Sequence, residues 1–377
     1  RPEMRERPAV IFIPDAERLD QIMLEKYLAE CAVPGGKGQT GQLYQAFWKN
    51  LEPYLKDISR LYVAADGAFF KINIGAIQLP GGQYVADRYD VRHVFSLKDI
   101  DTKNDAQGTE NLAGKTAFLA GNPAFLLKKD GDTAAAILRA VSETPDSLTA
   151  FGPFESILRN ADDVRGINLS SLPGSQQEVQ ELDAILRKKG WRTTIVTGLT
   201  ANEDTLKALK NPGILHLATH GYFLSNVRSG AAGLSRPLLE SNPMLRSMVF
   251  FAGAQNTLNH QPVGKEDGIL TAYEAQNLQL EGTELVVLSA CQTAQGKIQN
   301  GEGVYGLQRA LRIAGAQAVL LSLWDVDDKV GREFMTIFYE KWLGGTGKAD
   351  AFRAAQLAVK KKHPKPFYWA GFVLIGG

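Results

Sequence analysis

Short apolar runs alternate with amphipathic stretches along the chain, and this pattern predicts strands and helices in turn. The stretches at residues 214–221, 285–293 and 318–324 contain short runs rich in Leu, Ile and Val, which are typical of strands buried on both faces of a sheet. Residues 15–30 and 44–55 place apolar side chains near the helical period of about 3.6 residues. Because strands and helices alternate, we predict an α/β fold with a mostly parallel sheet flanked by helices.

A polar stretch at residues 130–154, interrupted by Gly and Pro, predicts a boundary between two domains. A chain of 377 residues is long for a single hydrophobic core. We therefore predict an N-terminal α/β region at residues 1–155 and a second domain at residues 156–377. In the first region, residues 9–13 and 69–74 are predicted as strands.

The second domain is predicted to open with a helix. The turn Leu172-Pro173-Gly174 is followed by Ser175-Gln176-Gln177-Glu178, which has the pattern of a capping box. In such a box the Ser and Glu side chains satisfy backbone amides of the first helical turn. Apolar residues at helical spacing follow, so we expect the helix to begin at Ser175.

The composition is that of an ordinary globular protein: 44% of the residues are hydrophobic, 22% are charged, and the formal net charge is +1. A nearly neutral chain gives no electrostatic reason to expect nucleic acid or an acidic membrane as a partner. No apolar run approaches the roughly 18 residues of a spanning helix. The charged residues 1–7 do not resemble a secretory signal, and we expect a cytoplasmic protein.

The two cysteines, Cys31 and Cys291, lack the paired spacing of a disulfide framework or a structural zinc site. We accordingly predict no cofactor and no metal. Cys31 stands at the exit of a predicted helix with no His nearby in sequence, and we expect it to be a spectator.

Two of the predicted strands lead to reactive side chains. The apolar run within residues 214–221 ends at His220, and that within residues 285–293 ends at Cys291. Ligands of open parallel sheets bind beyond the carboxyl ends of the strands, so adjacent strands would bring this imidazole and this thiol together. A thiol with an ordinary pKa of about 8.5 needs a basic or cationic neighbour to become a thiolate. The pair therefore predicts a cysteine nucleophile with its general base.

Gly221, directly after His220, has no side chain to hinder a substrate carbonyl. We predict that the backbone N–H groups of Gly221 and Cys291 form an oxyanion hole. The chemistry alone leaves a plainer alternative open, in which two polar residues end strands by coincidence and the thiol is inert.

Two other kinds of site compete for this part of the chain. Residues 301–306 match the dinucleotide-binding pattern G-x-G-x-x-G, but residues 292–300 separate them from the preceding strand, which weakens that prediction. A metal site from His216, His220 and Cys291 is conceivable. A core His216 hydrogen-bonded to the backbone is the simpler interpretation.

A series of stretches in the second domain carries a family resemblance. They are Leu172-Pro173-Gly174, His216-Leu217-Ala218-Thr219-His220-Gly221, Asp267-Gly268-Ile269-Leu270-Thr271-Ala272-Tyr273-Glu274-Ala275, Leu285-Val286-Val287-Leu288-Ser289-Ala290-Cys291-Gln292-Thr293, Gly301-Glu302-Gly303, Ser322-Leu323-Trp324-Asp325-Val326 and Phe367-Tyr368-Trp369-Ala370-Gly371-Phe372. In this order they closely resemble the CHAT domain, a caspase- and separase-like cysteine peptidase family of bacteria that is often found behind tetratricopeptide repeats. The resemblance covers most of residues 160–377.

The resemblance implies a caspase-haemoglobinase-like fold whose His/Cys dyad corresponds to His220 and Cys291, with the oxyanion hole at Gly221 and Cys291. It implies a cysteine endopeptidase that cuts a protein substrate through an acyl-enzyme under the control of a partner or an upstream repeat domain. Residues 65–69 resemble the family's N-terminal region, so residues 1–155 are expected to form a pseudo-caspase-like half. A catalytically silent scaffold of the same fold is the alternative, which the intact pair disfavours.

Acidic residues after the run at 318–324 are candidates for a substrate pocket. Asp325, Asp327 and Asp328 offer negative charge to a basic P1 side chain, and we single out Asp325 and Asp328. The alternative is that Asp328 caps the following helix while the other two are solvated. Separases recognise a P1 Arg through an acid in that helix, where this chain has Arg332, and the departure argues against an Arg-directed specificity.

Overall fold

The computed structural model describes residues 10–12, 18–36, 41–65, 67–100, 115–127, 167–223, 243–261, 266–289 and 302–377. Cys291 and the predicted boundary at 130–154 lie outside these residues. Within them the chain forms an α/β fold on one large, mostly parallel sheet, and the predicted fold class is confirmed.

The described residues contain eleven strands. They are β1 (Arg60–Val63), β2 (Asp90–His93), β3 (Thr116–Pro123), β4 (Arg192–Gly198), β5 (Ile214–Ala218), β6 (Gly221–Phe223), β7 (Ser247–Phe250), β8 (Ile269–Thr271), β9 (Leu285–Leu288), β10 (Val319–Ser322) and β11 (Phe372–Ile375).

Helices lie between these strands, and the first of them continues a π-helical turn at Leu19–Met23. The α-helices are α1 (Leu24–Cys31), α2 (Gly41–Phe47), α3 (Val85–Arg88), α4 (Pro173–Lys188), α5 (Glu203–Lys207), α6 (Ala254–Leu258), α7 (Ala272–Ala275), α8 (Glu302–Ile313), α9 (Asp328–Trp342), α10 (Lys348–Lys362) and α11 (Pro366–Trp369).

Eight strands form the large sheet in the order β1-β2-β11-β10-β9-β5-β3-β4. Neighbouring strands are parallel except for β10 and β11, which run antiparallel. The strands β1, β2 and β11 therefore run opposite to the other five. As a result, the carboxyl ends of β5 and β9 lie at one edge of the sheet, and those of β1 and β2 lie at the opposite edge.

The sheet joins strands from both sides of the predicted domain boundary. β3 precedes that boundary in the chain, yet it lies between β4 and β5. β2 likewise pairs with β11 near the end of the chain. The division into residues 1–155 and 156–377, and the pseudo-caspase-like character of the first part, stay predictions; the described strands of the two parts share one sheet.

The central strand β9 is buried on both faces, as its apolar sequence predicts. Leu285 and Val287 belong to the apolar cluster that includes side chains of α4, α9 and α10. Val286 and Leu288 belong to the cluster that includes α8. Because successive side chains of a strand point to opposite faces, this alternation places helices on both sides of the sheet. Burying each of these side chains contributes about 1.5–3 kcal/mol.

A smaller antiparallel sheet has the order β6-β7-β8. The sequence predicts β7 but not its two partners, because three residues are too few for an alternating pattern to stand out. Gly268, just before β8, has φ +78°, and a Cβ there would lie 2.6 Å from the Ala254 nitrogen. This position therefore requires glycine.

Two predicted strands in the first region are wrong. Residues 10–12 have irregular backbone, and Val10 and Phe12 are 90% and 83% exposed, with no described strand paired to them. The second predicted strand, at residues 69–74, is replaced by 3-10 helices at Gly67–Lys71 and Ile74–Ala76.

The side chain of Asn73 explains the second error. Its Oδ1 accepts a hydrogen bond from the Gly75 N–H at 2.9 Å and caps the 3-10 turn. Its Nδ2 donates to the carbonyl of Ala370 at 3.0 Å. A polar side chain that bonds its own backbone competes with strand pairing, and here the turn is formed instead of the strand that the apolar pattern predicts.

Candidate functional site

His220 lies just past the end of β5, where the chain passes from the large sheet into the small one. Its carbonyl accepts a hydrogen bond from the Phe250 N–H at 2.9 Å. The next residue, Gly221, begins β6 opposite Val249. His220 is only 2% exposed, so its backbone and side chain are both fixed by packing between the two sheets.

A backbone carbonyl and an aromatic ring orient the His220 imidazole. Its Nε2 lies 2.8 Å from the carbonyl oxygen of Ser170, and its ring centroid lies 4.9 Å from that of Phe125. Because a carbonyl only accepts hydrogen bonds, Nε2 carries the hydrogen, and the lone pair of Nδ1 stays available in the neutral ring. The sequence does not point to Ser170, since a backbone carbonyl leaves no signature in residue type.

Burial sets the protonation of His220. Removal from water lowers the pKa of its imidazole, and the hydrogen bond to the Ser170 carbonyl opposes this shift in part. The ring is therefore neutral at neutral pH. A neutral imidazole with a free Nδ1 has the chemistry of a general base.

Cys291 lies outside the described residues, but the strand that leads to it is described. β9 pairs with β5 in parallel, with Leu288 opposite Leu217. The Ser289 N–H extends the ladder by donating to the Leu217 carbonyl at 2.9 Å. His220 and Cys291 each follow their paired leucine by three positions in the sequence. The described strands thus agree with the prediction that both residues reach one edge, and the roles of Cys291 and Gly221 stay predictions.

A cleft of about 60 Å³ opens beside His220 at this edge of the sheet. Ser289 lines it, as do both acids that the sequence singles out, Asp325 and Asp328. Asp325 is an exposed residue, yet burial of its carboxyl group and the nearby charge of Asp328 raise its pKa to about 6. Neither acid has a cationic partner among the described residues.

Asp327 is the N-cap of α9, the helix that follows β10. The alternative prediction that Asp328 caps this helix is therefore wrong. The Asp327 Oδ1 accepts hydrogen bonds from the N–H groups of Lys329 and Val330 at 3.0 and 3.1 Å. Asp328 is the first residue of α9 and turns into the cleft. A Cβ at Gly174 would lie 2.5 Å from the Asp328 Oδ2, so the glycine leaves room for this carboxylate.

Arg332 faces α4. Its guanidinium hydrogen-bonds the Gln177 side chain and lies 3.9 Å from a carboxylate oxygen of Glu181. Among the residues of α9, Asp328 and Gly331 line the cleft. The positive charge of Arg332 is thus engaged on the neighbouring helix, which weakens the argument against a basic substrate side chain that its sequence position suggested.

His216 is a buried core residue with both ring nitrogens occupied. Its Nε2 lies 2.8 Å from Glu178 Oε1, and its Nδ1 lies 3.2 Å from the Tyr339 hydroxyl. No nitrogen is left for a metal, and the conceived site of His216, His220 and Cys291 loses one of its ligands. The partners of His216 are thus side chains and not the backbone groups that we predict from the sequence.

The contacts of Ser175 and Glu178 show that the predicted capping box of α4 is wrong. The helix begins at Pro173, two residues before the predicted start, and has no side-chain cap. The Ser175 hydroxyl accepts from the Asn122 N–H and donates to the carbonyl of Leu172. Glu178 turns to His216 instead of reaching back along its own helix. A hydrogen bond from the buried His216 stabilises the Glu178 carboxylate more than a bond to an exposed backbone N–H at the start of the helix would.

A second acidic cluster lies away from the cleft, around Lys207 on α5. The Lys207 Nζ lies 2.6 Å from Glu203 Oε1, 2.7 Å from Glu266 Oε2 and 3.0 Å from Glu274 Oε1. Burial raises the pKa of Glu203, and it raises that of Asp267 to about 7. Burial lowers the pKa of Lys207, but Glu203 and Glu274 more than offset this and raise it overall. Three carboxylates thus share one ammonium group, and the raised pKa values of Glu203 and Asp267 favour the neutral forms of these two acids.

Two further predictions concern a dinucleotide site and a membrane-spanning helix. β9 ends at Leu288 and α8 begins at Glu302. Residues 290–301 between them lie outside the described residues, so the weakened dinucleotide interpretation of residues 301–306 stays a prediction. Among the described residues, no helix combines the length and apolar character needed to cross a membrane.

Comparison with known sequences identifies the family. The sequence profile of the CHAT domain matches residues 38–377, and the chain belongs to the CHAT domain family. Human Tetratricopeptide repeat protein 28 is 29% identical over 223 residues, which are 54% of this chain and 8% of the human protein. The mouse protein of the same name is 30% identical over 206 residues, which are 48% of this chain. The chain thus spans about 8% of the length of these relatives, and the bacterial setting stays a prediction.

Comparison with solved structures gives weaker similarities. The Arg-specific cysteine proteinase gingipain R has a TM-score of 0.45 at 10% identity, covering 96% of this chain and 74% of the proteinase. A complex of pro- and mature domains from Porphyromonas gingivalis has a TM-score of 0.43 at 10% identity, covering 97% of this chain and 77% of that one. Membership of the CHAT family and the described sheet support a cysteine peptidase-like fold without naming a substrate.

Proposed function

We propose that this protein is a cysteine endopeptidase whose dyad is His220 and Cys291. The observation that carries the proposal is the His220 ring, which is buried, neutral and fixed through Nε2 by the Ser170 carbonyl. Its Nδ1, which has no hydrogen-bond partner among the described residues, suits a base that faces a nucleophile. The pairing of β5 with β9 supports Cys291 as that nucleophile, because both residues follow paired positions at the same sheet edge.

The proposed reaction forms and then hydrolyses an acyl-enzyme. His220 Nδ1 takes the proton of the Cys291 thiol, and the thiolate attacks the carbonyl carbon of the scissile peptide bond. Backbone N–H groups of Gly221 and Cys291 hold the oxyanion. The imidazolium then protonates the leaving amine, and the neutral ring activates the water that releases the acyl group and restores the thiol.

We further propose that Asp325 and Asp328 bind a basic P1 side chain. Both carboxylates line the cleft beside His220 and lack a described cationic partner. The pKa of Asp325 is raised to about 6, first by burial and then by Asp328, so a cation between the two acids would relieve their repulsion. An Arg or Lys side chain of the substrate supplies that cation.

Control by another protein segment is part of the proposal. The similar human and mouse proteins are named for tetratricopeptide repeats, and such repeats would regulate access to the cleft if they accompany this domain. The competing function is a silent scaffold of the CHAT fold. The presence of both His220 and Cys291 in the chain favours the peptidase.

The test compares the wild type with Cys291→Ala on a mixture of candidate protein substrates, with fragments identified by mass spectrometry. We expect Cys291→Ala to lower cleavage at least about 1,000-fold. Cys31→Ala is the matched control, because it removes the other thiol and should leave cleavage unchanged. Equal fragments from the wild type and Cys291→Ala would overturn the mechanism.

A further inference from the structure

A second cavity lies at the edge of the sheet opposite to His220. It has a volume of about 410 Å³, which is in the size range of small-molecule sites, about 300–1,000 Å³. The carboxyl ends of β1 and β2 form one wall, and the second half of α8 forms another. Because β1 and β2 run opposite to β5 and β9, this cavity is separate from the candidate active site.

The walls of the cavity are largely aromatic and aliphatic. The apolar side chains that define them are Val63, Phe69, Ile72, Phe95, Val373 and Ile375. Val63 and Ile375 each pair with His93 in the sheet, so the three side chains share one face. Such a surface favours binding of the apolar part of a ligand.

Two neutral polar side chains lie within this apolar lining. His93 faces the cavity, and burial lowers its pKa to about 4, which leaves its imidazole uncharged at neutral pH. Gln308 is 3% exposed and also lines the cavity. Neither side chain forms a hydrogen bond with another described residue. Gln308 is buried and His93 is half-buried. Polar groups in such positions normally have a partner, so these two offer bonds to a ligand.

Two arginines of α8 line the same cavity from the solvent side. Arg309 is exposed and has no acidic partner among the described residues. Arg312 donates to Asp99 at 3.1 Å, and its guanidinium lies 5.2 Å from the centre of the Phe95 ring. The charge of Arg312 is thus largely satisfied, whereas Arg309 retains its capacity for an anion. A single free guanidinium suits a carboxylate better than a polyphosphate.

We propose that this cavity binds an amphipathic carboxylate, with its apolar chain among the phenylalanines and its carboxylate on Arg309. His93 and Gln308 supply neutral hydrogen bonds that fix the polar end of the chain. The ligand class follows from the combination of apolar walls, two uncharged polar groups and the Arg309 guanidinium at the mouth, which has no acidic partner in the described part of the chain.

The test is calorimetric titration of the whole chain with decanoate below its micelle-forming concentration. Arg309→Glu should weaken binding about ten- to a hundredfold, because it replaces a charge-assisted hydrogen bond with repulsion. Ala65→Trp places a large ring at the edge of the cavity, where it should block the ligand and abolish binding. Arg192→Glu makes the same charge change on the exposed β4 edge strand and should have no effect.

Two further results decide the chemistry of the ligand. The uncharged analogue 1-decanol should bind at least about tenfold more weakly than decanoate. Equal binding of the two would overturn the role of Arg309 and leave only an apolar pocket. Unchanged decanoate binding in both Arg309→Glu and Ala65→Trp, each with a melting temperature like that of the wild type, would overturn the site itself.

Discussion

Two groups of acidic side chains in this molecule differ in how their charge is balanced. Around Lys207, the carboxylates of Glu203, Glu266 and Glu274 all lie within 3.0 Å of one ammonium group. In the cleft beside His220, Asp325 and Asp328 lie near each other without a described cation. The first group contains its own counter-charge, and the second leaves negative charge for a ligand.

This difference separates a structural cluster from a candidate binding site. The Lys207 cluster joins α5 to the loop before β8 and to α7, elements that hold the small sheet in place. The two acids of the cleft instead lie between the end of β10 and the start of α9, at the edge where His220 lines the cleft. Acidic residues alone do not identify a substrate pocket; acidic residues whose charge the protein does not balance are the better guide.

Removal of the Lys207 charge should have the largest effect on stability. Lys207→Met leaves buried carboxylates without a cation, and we expect the free energy of unfolding to fall by about 3–4 kcal/mol at pH 7. The loss should shrink at pH 5, because the raised pKa values of Glu203 and Asp267 let these acids become neutral. Urea unfolding at both pH values measures the change.

Lys210→Met is the control for this prediction, since Lys210 is exposed and close by in the chain. It should alter stability by less than about 0.5 kcal/mol. If Lys207→Met costs no more than Lys210→Met, the Lys207 cluster does not depend on its internal cation.

The cleft acids should affect substrate recognition far more than stability. Asp325→Asn should raise the KM for a peptide with Arg at P1 about tenfold, and leave the KM of the matching citrulline peptide unchanged. Because the pKa of Asp325 is about 6, the preference for Arg should grow as the pH rises from 5 to 7 in the wild type but not in Asp325→Asn. Steady-state kinetics with the two peptides gives this ratio.

Asp327→Asn provides a matched control for the change of charge. Asn caps helices as well as Asp does, and Asp327 is the cap of α9. This variant should keep the Arg preference and its pH dependence. An equal loss of preference in both variants would mean that the general negative potential, and not the cleft, selects the substrate.

The smallest effect should be a gain in stability from Asp325→Asn. The folded protein raises the pKa of Asp325 above its ordinary value, so ionisation weakens the folded state as the pH rises through about 4 to 6. The variant lacks this penalty, and exposure to solvent limits the gain to less than about 1 kcal/mol at pH 7. The gain should disappear at pH 4, as thermal unfolding at both pH values would show.

The large sheet and the position of His220 could be predicted from the sequence because each rests on a run of several residues. Strands such as β5 and β9 are buried on both faces, and their nearly continuous apolar sequence predicts this burial. The step from a strand end to a functional side chain then follows from the topology of parallel sheets.

Features that depend on one contact between distant residues could not be predicted. Ser170 orients His220 through a backbone carbonyl, which any residue type supplies. Glu178 has the local spacing of a capping box, but the buried His216 is the stronger partner. In both cases a tertiary contact outweighs what the local sequence suggests. The cap of α9 is a local contact that lies one position earlier than predicted, since Asp327 and Asp328 are chemically identical and only backbone direction distinguishes them.

The most direct measurement is covalent labelling with peptidyl chloromethyl ketones that carry either Arg or Asp at P1. The thiolate displaces chloride from the reagent, and intact mass followed by peptide mapping locates the adduct. We predict one adduct on Cys291 that forms at least about tenfold faster with the Arg reagent, is absent from Cys291→Ala and slows in Asp325→Asn. Labelling of Cys31 instead of Cys291, or equal rates with the Arg and Asp reagents, would contradict a cysteine peptidase with an acidic P1 cleft.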